Sequence, residues 1–184
     1  MVIARNLYLL IQMKLIQSNV CTGYTEHSMK IDPSGRYLFC DIGIAFDKNG
    51  GLGDLSPESC LTDGVFEHNG IYFALFGTAH GDGVYPFYEA DDLHDPDSVL
   101  LDCKSYFADE EPLDQLFIDS GRIALIQDTV LSPSFDPLDV GPRVDLARFD
   151  EEDYEDSQLT IYECDKAIYL IDYLLVRDFR YWDE

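Results

Sequence analysis

The chain has 184 residues, and its 36 acidic and 12 basic side chains give it a formal net charge of −24. Because 46% of the residues are hydrophobic and 13% are aromatic, the composition excludes a typical acidic disordered protein and predicts one folded domain over residues 1–184. Phosphate contacts need clusters of Lys and Arg, so the composition also argues against direct binding of DNA or RNA. Most of the acidity lies late in the chain: residues 1–88 carry 9 acidic and 5 basic side chains, and residues 89–184 carry 27 and 7.

The N-terminal segment is apolar but is typical of neither a signal peptide nor a membrane span. Its continuous apolar run, Leu7 to Ile11, is short, and Lys14 interrupts the residues that follow. Apolar residues alternate here with a period of two, which predicts a strand from Leu7 to Leu15, with a helix as the alternative because Ile11, Leu15 and Ile16 also have helical spacing. The five cysteines are odd in number and lack zinc-binding spacing, so we expect reduced thiols and a cytoplasmic protein.

The rest of the chain has the pattern of a sheet protein. Short runs rich in Tyr, Phe, Ile, Val and Leu are separated by turns that contain Gly, Asn, Asp and Pro. One such run, Arg36 to Phe46, predicts a strand that begins after a turn at residues 32–35. Together these runs predict a mainly β fold, either an antiparallel sandwich or a barrel-like sheet, with an α+β fold containing one or two short helices as the alternative.

Turn residues predict three hairpins. The clearest has Asn69-Gly70 between residues 65–66 and 71–76, because Asn-Gly readily adopts the positive φ angles of a tight turn. Asp119-Ser120-Gly121 predicts a second hairpin, between residues 116–118 and 122–126. The third places Cys164-Asp165 between residues 158–163 and 166–176, and its almost wholly apolar second arm predicts a central strand buried on both faces, with a short helix as the alternative.

Two strongly acidic connectors, residues 89–98 and 149–157, are predicted to be loops. Acidic side chains on loops can occupy a basic groove that evolved to bind phosphate, as in a DNA mimic, an anti-defence inhibitor or an immunity protein. The leading hypothesis is therefore a non-enzymatic protein that occupies the basic surface of a partner, itself a basic or nucleic-acid-binding protein. The predicted contact residues are Asp91, Asp92, Asp95, Asp97, Glu151, Glu152, Asp153, Glu155 and Asp156.

A glycine-rich segment from Gly77 to Asp92 supports a second hypothesis. Its glycines permit a tight turn from which His80 and Asp82 project, with Tyr85 just beyond. These three residues would form a small ligand- or metal-binding site, with catalysis as an option. The alternative is a plain turn followed by a strand, in which Pro86 indicates an edge or a bulge.

Two short signatures carry a resemblance to a known family. They are the turn and strand Gly81-Asp82-Gly83-Val84-Tyr85-Pro86 and the turn Asp119-Ser120-Gly121 before an apolar strand. In these signatures the chain resembles the bacterial and phage family known as domain of unknown function 4241. It departs from that pattern at residues 126–129, where the family tends to place an aspartate-proline pair. The resemblance implies a β-rich fold and no assigned activity.

No motif in the sequence nominates an enzyme. The chain has four histidines and lacks the GxSxG elbow, the phosphate-binding loop, the dinucleotide fingerprint and the HExxH zinc motif. Residues 47–58 place oxygen-bearing side chains in the manner of a calcium loop, but Leu52 stands where such a loop needs glycine. We therefore predict no cofactor and no bound metal, and a binding role rather than an enzymatic one.

Overall fold

The structure is a computed structural model that describes residues 23–59, 61–89, 96–101, 103, 107, 110–133, 140–145 and 157–178. Within these residues the chain forms two antiparallel sheets that pack face to face, which confirms the predicted mainly β, sandwich-like fold. No helix among them is long and apolar enough to cross a membrane. The strand predicted from Leu7 to Leu15 lies outside the described residues.

The first sheet has six strands in the order β1-β9-β10-β11-β5-β6. In chain order these strands are β1 (Thr25–Lys30), β5 (Gly83–Glu89), β6 (Asp114–Ile118), β9 (Gln158–Glu163), β10 (Ala167–Leu170) and β11 (Tyr173–Val176).

The second sheet has five strands in the order β3-β4-β7-β2-β8. They are β2 (Arg36–Asp41), β3 (Gly64–His68), β4 (Ile71–Gly77), β7 (Arg122–Gln127) and β8 (Arg143–Asp145). Two short α-helices, α1 (Ile42–Ala45) and α2 (Pro96–Leu101), and two 3₁₀ turns (Pro57–Ser59 and Asp128–Val130) complete the described elements.

The main core lies between the two sheets. Successive side chains of a strand point to opposite faces, and the inward set includes Phe39, Phe87 and Tyr173, whose rings pack 5.3–5.6 Å apart between centroids. A second cluster covers the outer face of the first sheet, where Val99 and Leu100 of α2 pack with side chains of β10 and β11. β10 and β11 are therefore buried on both faces, as predicted for this apolar segment.

The last predicted hairpin is confirmed, but its second arm is two strands rather than one. Ile168 of β10 pairs with Glu163 of β9. The chain then turns at Ile171 and Asp172 and returns as β11, which pairs with β10 and β5. Ile171 has a φ of 50°, a conformation that a β-branched residue rarely adopts, and this is why the apolar run gave no sign of a turn.

The second predicted hairpin is wrong in its pairing. Residues 116–118 and 122–126 are strands, but β6 pairs with β5 in the first sheet and β7 pairs with β2 and β4 in the second. The connection at residues 119–121 therefore passes from one sheet to the other. The Asn69-Gly70 hairpin is confirmed, with φ of 53° and 81° at its two central residues.

Three local predictions also need correction. The strand predicted from Arg36 ends at Asp41, because the Asp41 carboxylate accepts the Gly43 N–H at 2.7 Å and caps the short helix α1. The acidic connector predicted as a loop over residues 89–98 contains the start of α2. Pro86 lies in β5, which has strands on both sides rather than forming an edge of the sheet.

Candidate functional site

The two signature turns meet at one end of the sandwich. Thr78 donates its N–H to the Gly121 carbonyl oxygen at 2.9 Å, and its hydroxyl donates to the Gly81 carbonyl oxygen at 2.6 Å. Gly81 and Gly121 have φ of 77° and 69°, and a Cβ added to Gly121 would lie 3.2 Å from the Gly81 Cα. The backbone conformation and the close approach therefore account for both glycines.

Asp41 fixes the Asp119-Ser120-Gly121 turn to the second sheet. Its buried carboxylate accepts hydrogen bonds from the N–H groups of Asp119 and Ser120, each at 2.8 Å, and from the Ser120 hydroxyl at 2.7 Å. Buried polar groups need such partners. Sequence reasoning missed Asp41, because an acidic residue at the end of an apolar run carries no mark of a partner 78 positions away.

The three residues predicted for the ligand turn lie in different environments. His80 is exposed, and its Nε2 lies 2.9 Å from Oδ1 of Asp178. Asp82 is exposed on the same turn. Tyr85 is fully buried, and its hydroxyl donates to the Gly81 carbonyl oxygen at 2.7 Å, so its side chain belongs to the core.

A charged network joins the two sheets beside these turns, and Glu163 at the end of β9 is its centre. One carboxylate oxygen of Glu163 lies 2.7 Å from Nε2 of His27 on β1. The other lies 2.8 Å from Nη2 of Arg177, which follows β11. Glu163 also hydrogen-bonds Asp63, the residue before β3 in the second sheet.

Arg177 and Asp63 complete the bridge between the sheets. Arg177 is buried and donates to the carbonyl oxygens of Cys164 and Gly77 and, at 3.1 Å, to the Asp63 carboxylate. Asp63 in turn accepts the Gly77 N–H at 2.9 Å and lies 3.3 Å from Nη2 of Arg122. Asp63 of the second sheet thus contacts Arg177 and Glu163 of the first, so the network joins the two sheets at this end of the sandwich.

The two carboxyl groups of this network have pKa values displaced in opposite directions. Burial and the hydrogen bond to Asp63 raise the pKa of Glu163, although His27 and Arg177 oppose the rise. Burial would also raise the pKa of Asp63, but hydrogen bonds from Glu163, the Gly77 N–H and Arg177 outweigh it and lower that pKa. While the pair carries a single proton, Glu163 therefore holds it and Asp63 is the anion.

Among the described residues, two buried nitrogen atoms at this end make no hydrogen bond. They are Nζ of Lys166 and Nε of Arg122. Lys166 lies opposite Arg177, whose N–H donates to the Lys166 carbonyl oxygen at 2.8 Å. Three of the seven basic side chains of the described residues, those of Arg122, Lys166 and Arg177, thus lie buried or half-buried at this end.

Sequence reasoning did not find the network. His27, Asp63, Glu163 and Arg177 come from four separate segments and form no local motif. Among the described residues, no group of three or more His, Cys, Asp or Glu side chains is placed to hold a metal ion. Cys164, beside the network, is disulfide-bonded, which differs from the expectation of reduced thiols.

A cleft of about 280 Å³ opens elsewhere, near the ends of β1 and β7 away from the network. Lys30, Tyr37, Tyr72 and Gln127 are among its lining residues, and the Lys30 ammonium lies 5.6 Å from the centroid of the Tyr72 ring. The cleft therefore does not involve the glycine-rich turn for which a ligand was predicted.

Only one of the predicted acidic contact residues falls in the described part of the chain. Asp97 is exposed at the start of α2, and its charge and hydrogen bond raise the pKa of Tyr24. The others lie outside the described residues, namely Asp91, Asp92, Asp95, Glu151, Glu152, Asp153, Glu155 and Asp156.

Comparisons with protein-family models, with curated proteins and with solved structures find no significant match to this chain. The resemblance to domain of unknown function 4241 therefore stays a prediction. In the structure, the turns of the two signatures are in contact with each other.

Proposed function

We propose that this protein is an acidic, non-enzymatic binding protein that occupies the basic surface of a partner protein, in the manner of an inhibitor, a DNA mimic or an immunity protein. The observation that carries the proposal is where the charges lie. Among the described residues, Arg177 and Lys166 are buried and Arg122 is half-buried, so few cations remain at the surface.

The exposed charges of the described residues are mostly acidic. Four basic residues are exposed, namely Lys30, Arg36, Lys48 and Arg143. Thirteen acidic residues are exposed, namely Glu26, Asp32, Asp54, Glu58, Asp63, Glu67, Asp82, Asp97, Glu110, Glu111, Asp114, Asp119 and Asp165. A surface of this kind attracts a basic partner from a distance and repels nucleic acid.

The test measures association with a basic partner recovered from the native cell at low salt. The variant carries Glu151→Gln, Glu152→Gln, Asp153→Asn, Glu155→Gln and Asp156→Asn. We expect a slower on-rate and a shallower salt dependence, because steering by exposed charges weakens as the Debye length falls from about 10 Å at 0.1 M salt to about 3 Å at 1 M.

The matched control removes the same number of charges from the first half of the chain. It carries Glu26→Gln, Asp32→Asn, Asp54→Asn, Glu58→Gln and Glu67→Gln, and circular dichroism checks that both variants fold. If both variants slow association equally, net charge alone acts and the 149–157 connector is not the contact zone. If no basic protein binds, the proposal is wrong.

A second candidate function is ligand binding at the glycine-rich turn, and one observation favours it. Asp178 orients the exposed His80 imidazole at 2.9 Å, and an oriented, accessible imidazole is a common ligand-binding group. Native mass spectrometry of the purified protein would detect a retained small molecule. We expect His80→Asn to lose that molecule and His68→Asn to keep it, since His68 is paired with Asp54 on another surface.

We also propose a cytoplasmic location, as the sparse cysteines suggest. The disulfide at Cys164 makes this proposal testable, since disulfides persist mainly in oxidising compartments. After acid quenching of the native cells and denaturation of the protein, which exposes the buried Cys164, alkylation followed by mass spectrometry should label Cys164 if the compartment is reducing. An unlabelled Cys164 would place the protein in an oxidising compartment.

A further inference from the structure

The outer face of β6 carries two exposed apolar side chains. Phe117 is 63% exposed, and Leu113, just before the strand, is 56% exposed. Both point away from the core, because Leu116 and Ile118 at the alternate positions are buried. Single exposed apolar residues are ordinary, but here two of them lie close together in the chain, one in β6 and one just before it.

β6 is also an edge of its sheet, and within the described residues it pairs with β5 alone. Sheet edges are commonly protected from association by Lys or Pro. β6 contains neither, whereas β1 at the opposite edge of the sheet ends in Lys30. The apolar side chains of this edge are therefore accessible to a partner.

The chain segment that carries these side chains is acidic. No Lys or Arg occurs from Ser105 to Gly121. Four exposed acidic residues lie close to the two apolar residues in the chain, namely Glu110, Glu111, Asp114 and Asp119. This acidic rim repels a second copy of the chain and any nucleic acid, and it is complementary to a surface that carries Lys and Arg.

We propose that the β6 face, defined as Leu113, Gln115 and Phe117 with the four flanking acidic residues, is a docking site for a basic partner protein. The inference rests on the proposed function and names where the partner binds. The occupant presents Lys or Arg side chains interspersed with apolar ones. Phe117 and Leu113 serve as apolar anchors, and the acidic residues around them favour a positively charged partner. Interfaces with a small central hot spot have this arrangement.

Two short synthetic peptides of equal length and charge serve as probes. One alternates lysine with leucine, and the other alternates lysine with serine. Fluorescence anisotropy measures their affinity for the full chain. We expect the lysine-leucine peptide to bind about tenfold more tightly than the lysine-serine peptide, because only its leucines can contact the anchors.

The variants Phe117→Ser and Leu113→Ser should reduce the ratio of the two peptide affinities towards one and leave the affinity for the lysine-serine peptide unchanged. Leu61→Ser is the matched control, because Leu61 is 70% exposed but lies on the loop before β3. We expect it to leave the ratio unchanged. Neutralising Glu110, Glu111 and Asp114 should weaken binding of both peptides.

Each other outcome overturns the inference. If the wild-type chain binds both peptides equally, or if Leu61→Ser acts as strongly as Phe117→Ser, the β6 face is not the docking site, while salt-sensitive binding of both peptides would still support the proposed function. If neither peptide binds, the proposed function fails as well. If sedimentation shows self-association that Phe117→Ser abolishes, the occupant is a second copy of the chain.

Discussion

At the scale of single residues, the proton shared by Asp63 and Glu163 controls how the charged network responds to pH. The folded state raises the pKa of Glu163 above its ordinary value of 4.5. A raised pKa means that the folded state holds the proton more tightly, so this stabilisation is complete below pH 4.5 and is lost as the pH rises through the folded pKa. Asp63 has the opposite dependence, because its pKa is lowered.

We therefore predict that Glu163→Gln makes stability less dependent on pH above 4.5. Glutamine is neutral like protonated Glu163, and it can still accept from Arg177 and donate to Asp63. The melting temperature of the variant, compared with wild type at each pH, should rise as the pH increases above 4.5. Thermal denaturation followed by circular dichroism measures this difference.

Asp63→Asn provides the contrasting control. It removes the anion that pairs with Arg177 and Arg122, so the variant should be less stable than wild type at neutral pH. This difference in stability should shrink as the pH falls below 3.8, the ordinary pKa of an aspartate. If both variants show the same pH dependence, the proton is not shared in the manner described.

Asp41 should contribute strongly to stability. Removing its carboxylate in Asp41→Ala leaves the N–H groups of Asp119 and Ser120 without their acceptor, and each hydrogen bond to a charged group contributes about 1.5–3 kcal/mol. We expect the free energy of unfolding to fall by at least about 2 kcal/mol in urea titrations. Asp47→Ala is the control, because Asp47 accepts similar bonds from Asn49 in an exposed turn, and it should cost less than about 1 kcal/mol.

At the scale of elements, local sequence signals predict where the chain turns better than they predict which strands pair. Asn69-Gly70 was predicted correctly because the turn residues themselves fix a two-residue hairpin. Asp119-Ser120-Gly121 was recognised as a turn, but nothing local shows that the next strand joins the other sheet. That outcome depends on Asp41 and on Thr78, whose backbone N–H binds Gly121, contacts that only the folded chain brings together.

The Asn69-Gly70 turn gives a quantitative prediction. Gly70 has a φ of 81° and no atom within 4 Å of an added Cβ, so Gly70→Ala is penalised by its backbone conformation alone. We expect a loss of about 1 kcal/mol in the free energy of unfolding. Asn69→Gly should not destabilise comparably, since glycine adopts the φ of 53° found there. Equal effects of the two substitutions would contradict this account.

The apolar β10–β11 segment should tolerate no charge on either face. Leu170 packs in the core between the sheets and Leu174 in the cluster under α2. We predict that Leu170→Asp and Leu174→Asp each prevent folding, because an unpaired buried carboxylate costs several kcal/mol, comparable to a total stability of about 5–15 kcal/mol. Leu61→Asp, at a 70% exposed position, should fold normally by circular dichroism.

At the scale of the whole molecule, the sequence predicted a mainly β fold, with a sandwich as one of its two forms, but not the network at its end. Alternating apolar residues report which face of a strand is buried, and this suffices for the fold class. His27 and Glu163 lie 136 positions apart, and in a chain with 36 acidic residues a single carboxylate gives no sign of its partner. Their contact follows from the register of β1 against β9, which pairs Thr25 with Glu163.

The net charge of −24 should itself limit stability at low ionic strength. Like charges on the surface repel one another more in the compact state than in the unfolded chain, and salt screens this repulsion. We predict that the melting temperature rises as sodium chloride increases from about 0.02 M to about 0.3 M, where the Debye length becomes much shorter than the molecule. Differential scanning calorimetry at fixed pH measures the rise.

The variant with five neutralised residues in the 149–157 connector separates repulsion from other effects of salt. Because part of the repulsion is already removed, it should melt at a higher temperature than wild type at low salt and gain less from added salt. The buried pair of Arg177 and Glu163 is screened much less than surface charges, so its contribution should change little over this range. If the wild-type melting temperature instead falls as salt is added, attractive surface pairs outweigh the repulsion. The excess of acidic residues would then not destabilise the folded state.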